Sequence, residues 1–304
     1  MKVPPYLKRG DTVGIIAPSR SVDRNAVERF TLLLEKWGLN WEFGKHLFGQ
    51  YHRFSGTDEE RASDLNDMIY DRNIRAVFAA RGGYGSVRTL QNTAVDFTGF
   101  ENDPKWLVGF SDITVLHSYI NKFAGTESIH AMMPLNFSKD PDPENIESLR
   151  KALFGEHLEY TFPANELNID GEAEGEIVGG NLALICSLNG TVLFPDVKNK
   201  ILFLEDVDEY LYNIDRMMMN LSLSGVFNRI KALVIGDISV KSEEDDIPFG
   251  KTAYEIIHEI ADQYDIPVCF NFPAGHNSQN RALIFGRKIQ LRIKEDESSL
   301  VFVP

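Results

Sequence analysis

Ser111, Glu205 and His276 are of the residue types that together carry out acyl transfer, and each follows an apolar run that reads as a strand. A serine hydroxyl is a weak nucleophile near neutral pH. A histidine base activates it, and a carboxylate fixes the histidine tautomer and stabilises the imidazolium. Ser111 stands in Trp106-Leu107-Val108-Gly109-Phe110-Ser111-Asp112-Ile113-Thr114. Leu107 and Val108 read as the end of a buried strand, Gly109 permits a tight turn, and Asp112 opens an amphipathic run with Ile113, Leu116 and Ile120 on one face. Such a corner lifts its serine clear of the sheet and points the next backbone N–H into the same space, offering a nucleophile and half of an oxyanion hole. The same Ser-Asp pair is also a good helix cap.

Glu205 follows Lys200-Ile201-Leu202-Phe203-Leu204, either as a solvated edge residue or as a functional group on a rigid element. His276 lies in the Pro/Gly-containing loop Asn271–Asn277 after the strand pattern Pro267–Phe270, where an active-site role and a plain surface role both fit. Arg81-Gly82-Gly83-Tyr84-Gly85-Ser86 follows the strand pattern Ala76–Ala80. It lacks the lysine and spacing of a P-loop and is not G-x-G-x-x-G. It is a tight connection needing glycine for positive φ, or a loop whose Gly83 N–H approaches a reacting carbonyl. Both glycine loop and serine corner follow strands, and ligands in open α/β sheets bind beyond the carboxyl ends of strands. His130 reads as a structural or substrate-wall residue, with a base as its second reading.

The elements that must position these groups alternate over residues 1–154. Strand patterns at Thr12–Ala17, Trp41–Phe43, Ala76–Ala80 and Glu127–His130 are interleaved with helical patterns ending near Gly38, starting at the Thr57–Glu60 capping box, running from Ser111 to Phe123, and spanning Pro143 to Phe154. This is an α/β class with a mainly parallel sheet and helices on both faces. Residues 155–178 turn polar, acidic and glycine-rich and are expected to be a linker. Residues 179–304 read as a smaller, β-rich α/β domain carrying Glu205 and His276. An acidic loop is expected from Lys241 to Asp246, and Ala282 to Val303 as its closing strands.

With 304 residues, 43% of them hydrophobic, the chain can bury a real core without staples. Cys186 and Cys269 sit in apolar stretches and read as buried reduced thiols. A formal charge of -14 argues against phosphate-backbone or anionic-membrane binding and directs attention to a small or peptidic substrate. No stretch approaches the ~18 apolar residues of a membrane span, and the first residues carry no hydrophobic signal core, so a cytoplasmic protein is expected.

The Val108–Thr114 corner, Arg81-Gly82-Gly83-Tyr84-Gly85 and the opening Arg9–Ser19 together resemble the LD-carboxypeptidases of serine peptidase family S66. Gly179-Gly180-Asn181-Leu182, Phe203-Leu204-Glu205-Asp206 and Gly275-His276 follow in that family's order. The resemblance implies a cytoplasmic, often homodimeric enzyme that removes the terminal D-alanine from a muropeptide tetrapeptide without a cofactor or metal. It also implies that Ser111 is the nucleophile, His276 the general base and acid, Glu205 its orienting partner, and the backbone N–H groups of Gly83 and Asp112 the oxyanion hole. Arg81 and Tyr84 beside the glycine loop are candidate substrate contacts, Arg81 for the terminal carboxylate. The corner lacks the second glycine of G-x-S-x-G, which counts against a lipase. The same family includes immunity peptidases that cleave peptidyl-nucleotide antibiotics; no aromatic-rich insertion for stacking a base is evident here. A non-catalytic muropeptide-binding protein is the reading from another class. A metallohydrolase using His276, His130 and Glu205 lacks ligand spacing. Activity is accordingly expected to survive EDTA, and inactivation reversed by added metal would restore the metallohydrolase reading.

Overall fold

The computed structural model describes residues 1–92, 95–242 and 247–303. They form two units, Met1–His157 with Arg281–Phe285, and Leu158–Asn280 with the residues from Gly286 on.

In the first unit β1 (Thr12–Ile16), α1 (Arg24–Trp37), β2 (Asn40–Phe43), α2 (Asp58–Tyr70), β3 (Ile74–Ala79), α3 (Ser86–Gln91), α4 (Thr98–Asn102), β4 (Trp106–Gly109), α5 (Thr114–Tyr119), β5 (Ser128–His130) and α6 (Pro143–Phe154) follow in order. Local chemistry starts and stops these elements. The Asp23 carboxylate accepts from Asn25 N to cap α1, which ends at Gly38 in the left-handed region, and Thr57 and Glu60 form the expected capping box of α2. The strand order β2-β1-β3-β4-β5 is all parallel, with Val13, Ile15, Phe78, Leu107 and Val108 fully buried, so the sheet reads as apolar runs rather than alternation. In this doubly wound order, ligand crevices lie beyond the carboxyl ends of the strands near the β1/β3 switch point.

The second unit holds β6 (Glu159–Pro163), β7 (Gly171–Asn181), α7 (Leu182–Leu188), β8 (Ile201–Glu209), α8 (Leu211–Leu223), β9 (Ala232–Val240), α9 (Ala253–Ala261) and β10 (Val268–Cys269), then, after β11 (Leu283–Phe285) of the first unit, β12 (Lys288–Ile293) and β13 (Glu297–Phe302). Its sheet runs β10-β9-β8-β7-β12-β13-β6, parallel from β10 to β7 and antiparallel beyond.

Several expectations are corrected. Residues 155–178 are not a linker, since they contain β6 and most of β7. The polar run Gly171–Glu176 is a strand with one solvated face, and its Glu172 and Glu174 pair across β12 with Arg292 and Lys288. β11 belongs to the first unit, where it lies antiparallel to β5 with Leu283, Ile284 and Phe285 all buried. It covers the open edge of a three-residue strand, and Arg281, bonded to Asn145 Oδ1 at 2.9 Å, anchors its start. The helix expected after Ser111 is broken into a 3-10 turn (Ser111–Ile113), α5 and a π turn (Ile120–Ala124) that ends at Gly125. Of the acidic loop, Glu243 to Asp246 lie outside the described residues. Cys186 is half-buried rather than buried; both thiols are free, and burial pushes each up to about 12. Among the described residues no helix is long and apolar enough to cross a membrane.

Arg61 on α2 has a fully buried side chain, against the apolar pattern of that face. Its guanidinium donates to the carbonyls of Pro18 at 2.7 Å and Gly85 at 2.9 Å and pairs with Asp58, tying the segment after β1 to the segment after β3. Removing it takes a fully buried donor from two carbonyls and one of two cations from the half-buried Asp58 carboxylate, which keeps Arg88, so Arg61→Ala is expected to lower unfolding free energy by about 1–3 kcal/mol, read from the urea midpoint.

Candidate active site

The first unit contributes the serine corner. β4 is buried throughout, and a Cβ at Gly109 would stand 2.9 Å from Ile113 Cγ1, so only glycine lets the chain turn this tightly against its own helix. Ser111 then has φ +62, a left-handed conformation that a serine holds only when its surroundings impose it. Strand, strained residue and helical turn make the elbow geometry that presents a hydroxyl above the sheet. His117 holds the strand end from beneath: its Nε2–H donates to the Gly109 carbonyl at 2.8 Å and its Nδ1 meets the Ser128 hydroxyl at 2.9 Å. Burial pushes this imidazole down to about 4, so it is neutral.

Asp112 does not cap its own helix. The turn starts at Phe110 with no side-chain cap, and the buried Asp112 carboxylate reaches sideways, where Oδ2 accepts from Ser19 Oγ at 2.5 Å and from Ser86 N at 2.8 Å. Ser86 N is the first N–H of α3, a donor with no partner inside that helix. Ser19 Oγ and Ser86 Oγ also lie 2.8 Å apart. The segments after β1, β3 and β4 are thus joined through one carboxylate oxygen.

The glycine loop passes beside this corner. A Cβ at Gly82 would lie 3.1 Å from Ser111 Cβ and 3.3 Å from Asp112 N, making Gly82 the point of closest approach, a role the sequence pattern left unassigned. Gly83 and Gly85 have φ +107 and +135, which explains the repeated glycines. Arg81 is half-buried and donates through Nη1 to the Ser21 carbonyl at 2.9 Å, while Tyr84 is exposed and its ring lies 6.1 Å from that of Phe54. His130 is fully buried in β5 between the rings of Phe110 and Phe285, which matches its structural reading.

The second unit contributes the acid and base. Glu205 and Asp206 lie inside β8 rather than after it as the sequence pattern suggested, and because successive strand residues face opposite sides the two carboxylates do different work. Glu205, fully buried, receives His276 Nδ1–H on Oε2 at 2.7 Å. That bond sets the tautomer whose lone pair sits on Nε2. Asp206 accepts from Asn181 Nδ2 at 2.8 Å and from Ala183 N at 2.9 Å, serving the start of α7; burial, with Glu205 adding repulsion, pushes it up to about 6. Gly275 has φ +148, and a Cβ there would stand 2.7 Å from Asp237 Cβ, so glycine seats His276 against β9. Burial pulls the His276 pKa down, but the Glu205 hydrogen bond and charge, with Asp206 and Asp237 beyond, outweigh it and hold the imidazole above its ordinary 6.5.

Among the described residues no group of three or more His, Cys, Asp or Glu is placed to hold a metal ion.

A doubly wound sheet with a strained serine corner, and a second unit with a half-buried histidine bonded to a buried glutamate, define a class of serine-type hydrolases. Residues 13–131 match the LD-carboxypeptidase N-terminal domain and residues 174–291 the LD-carboxypeptidase C-terminal domain, and the chain belongs to this family of serine carboxypeptidases. It is 34% identical to the probable murein peptide carboxypeptidase of Bacillus subtilis, over 96% of this chain and 92% of that protein. Its fold superposes on muramoyltetrapeptide carboxypeptidase from Oxalobacter formigenes with TM-score 0.88 and 27% identity, covering 96% and 99% of the two chains. The microcin C7 self-immunity protein MccF shares the fold at TM-score 0.84 and 24% identity, over 97% of each chain.

The balance at His276 gives a titration with a definite sign. NMR of the imidazole is expected to show protonation persisting above pH 6.5, and Glu205→Gln, which leaves burial without the opposing carboxylate, to bring the midpoint below 6.5.

Proposed function

We propose that this protein hydrolyses the L,D-peptide bond that joins the terminal D-alanine to a muropeptide tetrapeptide, as a cytoplasmic homodimer serving peptidoglycan recycling. The observations that carry the reading are the strained Ser111 elbow of one unit and the His276–Glu205 pair of the other, the residue types a serine hydrolase uses as nucleophile, base and orienting acid. His276 Nε2 takes the proton from Ser111 Oγ as that oxygen attacks the scissile carbonyl carbon. The N–H groups of Gly83 and Asp112 receive the oxyanion. The C–N bond then breaks, His276 returns its proton to the departing amine of D-alanine, and water, deprotonated by the same nitrogen, hydrolyses the acyl-enzyme. Glu205 stays ionised throughout and holds the imidazolium. The relatives named for murein peptides support this substrate, whereas the likeness to MccF is one of fold.

Mass spectrometry of L,D- and D,D-linked muropeptides tests the reading. Loss of D-alanine from the L,D substrate alone is expected; turnover of a peptidyl-nucleotide conjugate in its place would transfer the enzyme to the immunity class, and turnover of neither would leave a binding protein. Ser111→Ala is expected to abolish hydrolysis while retaining peptide binding, and a residual kcat above a tenth of wild type would remove Ser111 as nucleophile. Glu205→Gln is expected to cost on the order of 10⁴-fold in kcat. Because the base must be neutral, kcat/KM should rise with pH through the His276 titration, with its acid limb above 6.5.

A further inference from the structure

Two arginines flank the β1/β3 switch point, Arg20 after β1 and Arg81 after β3. Among the described residues neither forms an ion pair with a carboxylate, although the chain carries 45 acidic residues and a net charge of -14. Arg81 spends Nη1 on the Ser21 carbonyl. Arg20 lies along the open face of Gly83: a Cβ on that glycine would fall 2.7 Å from Arg20 Cδ and 2.8 Å from Arg20 Nε. That Nε is buried and has no hydrogen-bond partner. The two cations act on each other; after burial, the charge of Arg20 is what pulls the Arg81 pKa down. Of the carboxylates on these segments, Asp112 turns Oδ2 to Ser19 and Ser86, its buried Oδ1 having, among the described residues, no hydrogen-bond partner and no arginine paired with it, and Asp23 caps α1. Like charges gathered on a loop and left without counter-charge raise the free energy of the empty site, and an anion placed between them relieves it.

We propose that Arg20 and Arg81 form a carboxylate-binding pair that makes the enzyme an exopeptidase by holding the free carboxylate of the leaving residue. The inference rests on the reading of Ser111 as nucleophile and Gly83 as oxyanion donor. In a C-terminal dipeptide the terminal carboxylate carbon is separated from the scissile carbonyl carbon by one N–Cα unit, roughly 3–4 Å away. With Gly83 donating to the oxyanion, a cation packed against that glycine stands beside the place where a carboxylate one residue beyond the scissile bond arrives, whereas an internal peptide bond or a terminal amide would bring a neutral group to it. A neutral group leaves both guanidinium charges uncompensated, and a site built for a polar partner discriminates strongly against a ligand lacking it.

The test compares a tetrapeptide ending in L-lysyl-D-alanine with its C-terminal amide, using wild type, Arg20→Gln and Arg81→Gln. Wild type is expected to favour the acid by about 100-fold in kcat/KM. Arg20→Gln should lower turnover of the acid by about 100-fold and leave that of the amide within about threefold, so that the preference collapses, with Arg81→Gln moving the same way. Equal loss on both substrates, or an undiminished preference, overturns the proposal, as does tighter binding of a terminal phosphonate than of the carboxylate. Calorimetric titration of Ser111→Ala with the same two peptides separates this inference from the carboxypeptidase reading. If wild type cleaves neither peptide but Ser111→Ala binds the acid more tightly in an Arg20-dependent way, the carboxylate site stands and the hydrolase reading falls. Equal affinities overturn the site. Should Arg20→Gln not fold, Arg20→Lys, which keeps the charge but not the fork, is expected to retain part of the preference.

Discussion

The serine corner depends on a single buried carboxylate. Asp112 Oδ2 binds the Ser19 hydroxyl and the Ser86 amide, so that the segments after β1, β3 and β4 are positioned relative to one another by two short hydrogen bonds to one atom. A buried carboxylate with charge-assisted donors is stiff, because releasing either donor leaves polar groups unsatisfied in a poorly solvated place. This stiffness is what lets Ser111 remain at φ +62, a conformation that an unsupported serine would relax. Arg61 repeats the device from below, holding the carbonyls of Pro18 and Gly85, and His117 holds that of Gly109. Polar groups buried under a loop cluster therefore act as its rigid floor.

The second unit solves a different problem with the same materials. Two adjacent carboxylates within β8 would repel if both faced one site. Strand alternation sends Glu205 to His276 and Asp206 to Asn181 and the start of α7, so one acid polarises the imidazole while its neighbour secures the helix that follows β7. Burial, with residual repulsion from Glu205, raises the pKa of Asp206, whose charge in turn adds to the forces that keep His276 basic.

Much of the framework was legible because it rests on short-range signals. Capping residues, apolar periodicity and glycine stops mark α1, α2, α6 and the parallel strands, and each has a local cause. Where partners lie far away in the chain, the local signal misleads. The Gly171–Glu176 run looks like a linker because half of its side chains face water, yet β12, more than a hundred residues later, completes it as a strand. The Leu283–Phe285 triplet looks like a terminal strand of the second unit, but the edge it covers is that of β5.

Residue type and chain order determined, without coordinates, a serine on a strand-to-helix corner, a glycine loop after another strand, a carboxylate on the apolar run Ile201–Leu204, which the structure extends through it as β8, and a histidine in a loop after a later strand. These are properties of short segments, in which conformational preference and chemistry are written together. Only the tertiary structure decided which of the adjacent acids Glu205 and Asp206 bonds His276, that the Asp112 side chain binds two other loops rather than its own helix, and that Gly82 packs most closely against Ser111. Each of those outcomes depends on where segments distant in the chain meet, and a side chain's direction is set by the partner it finds there.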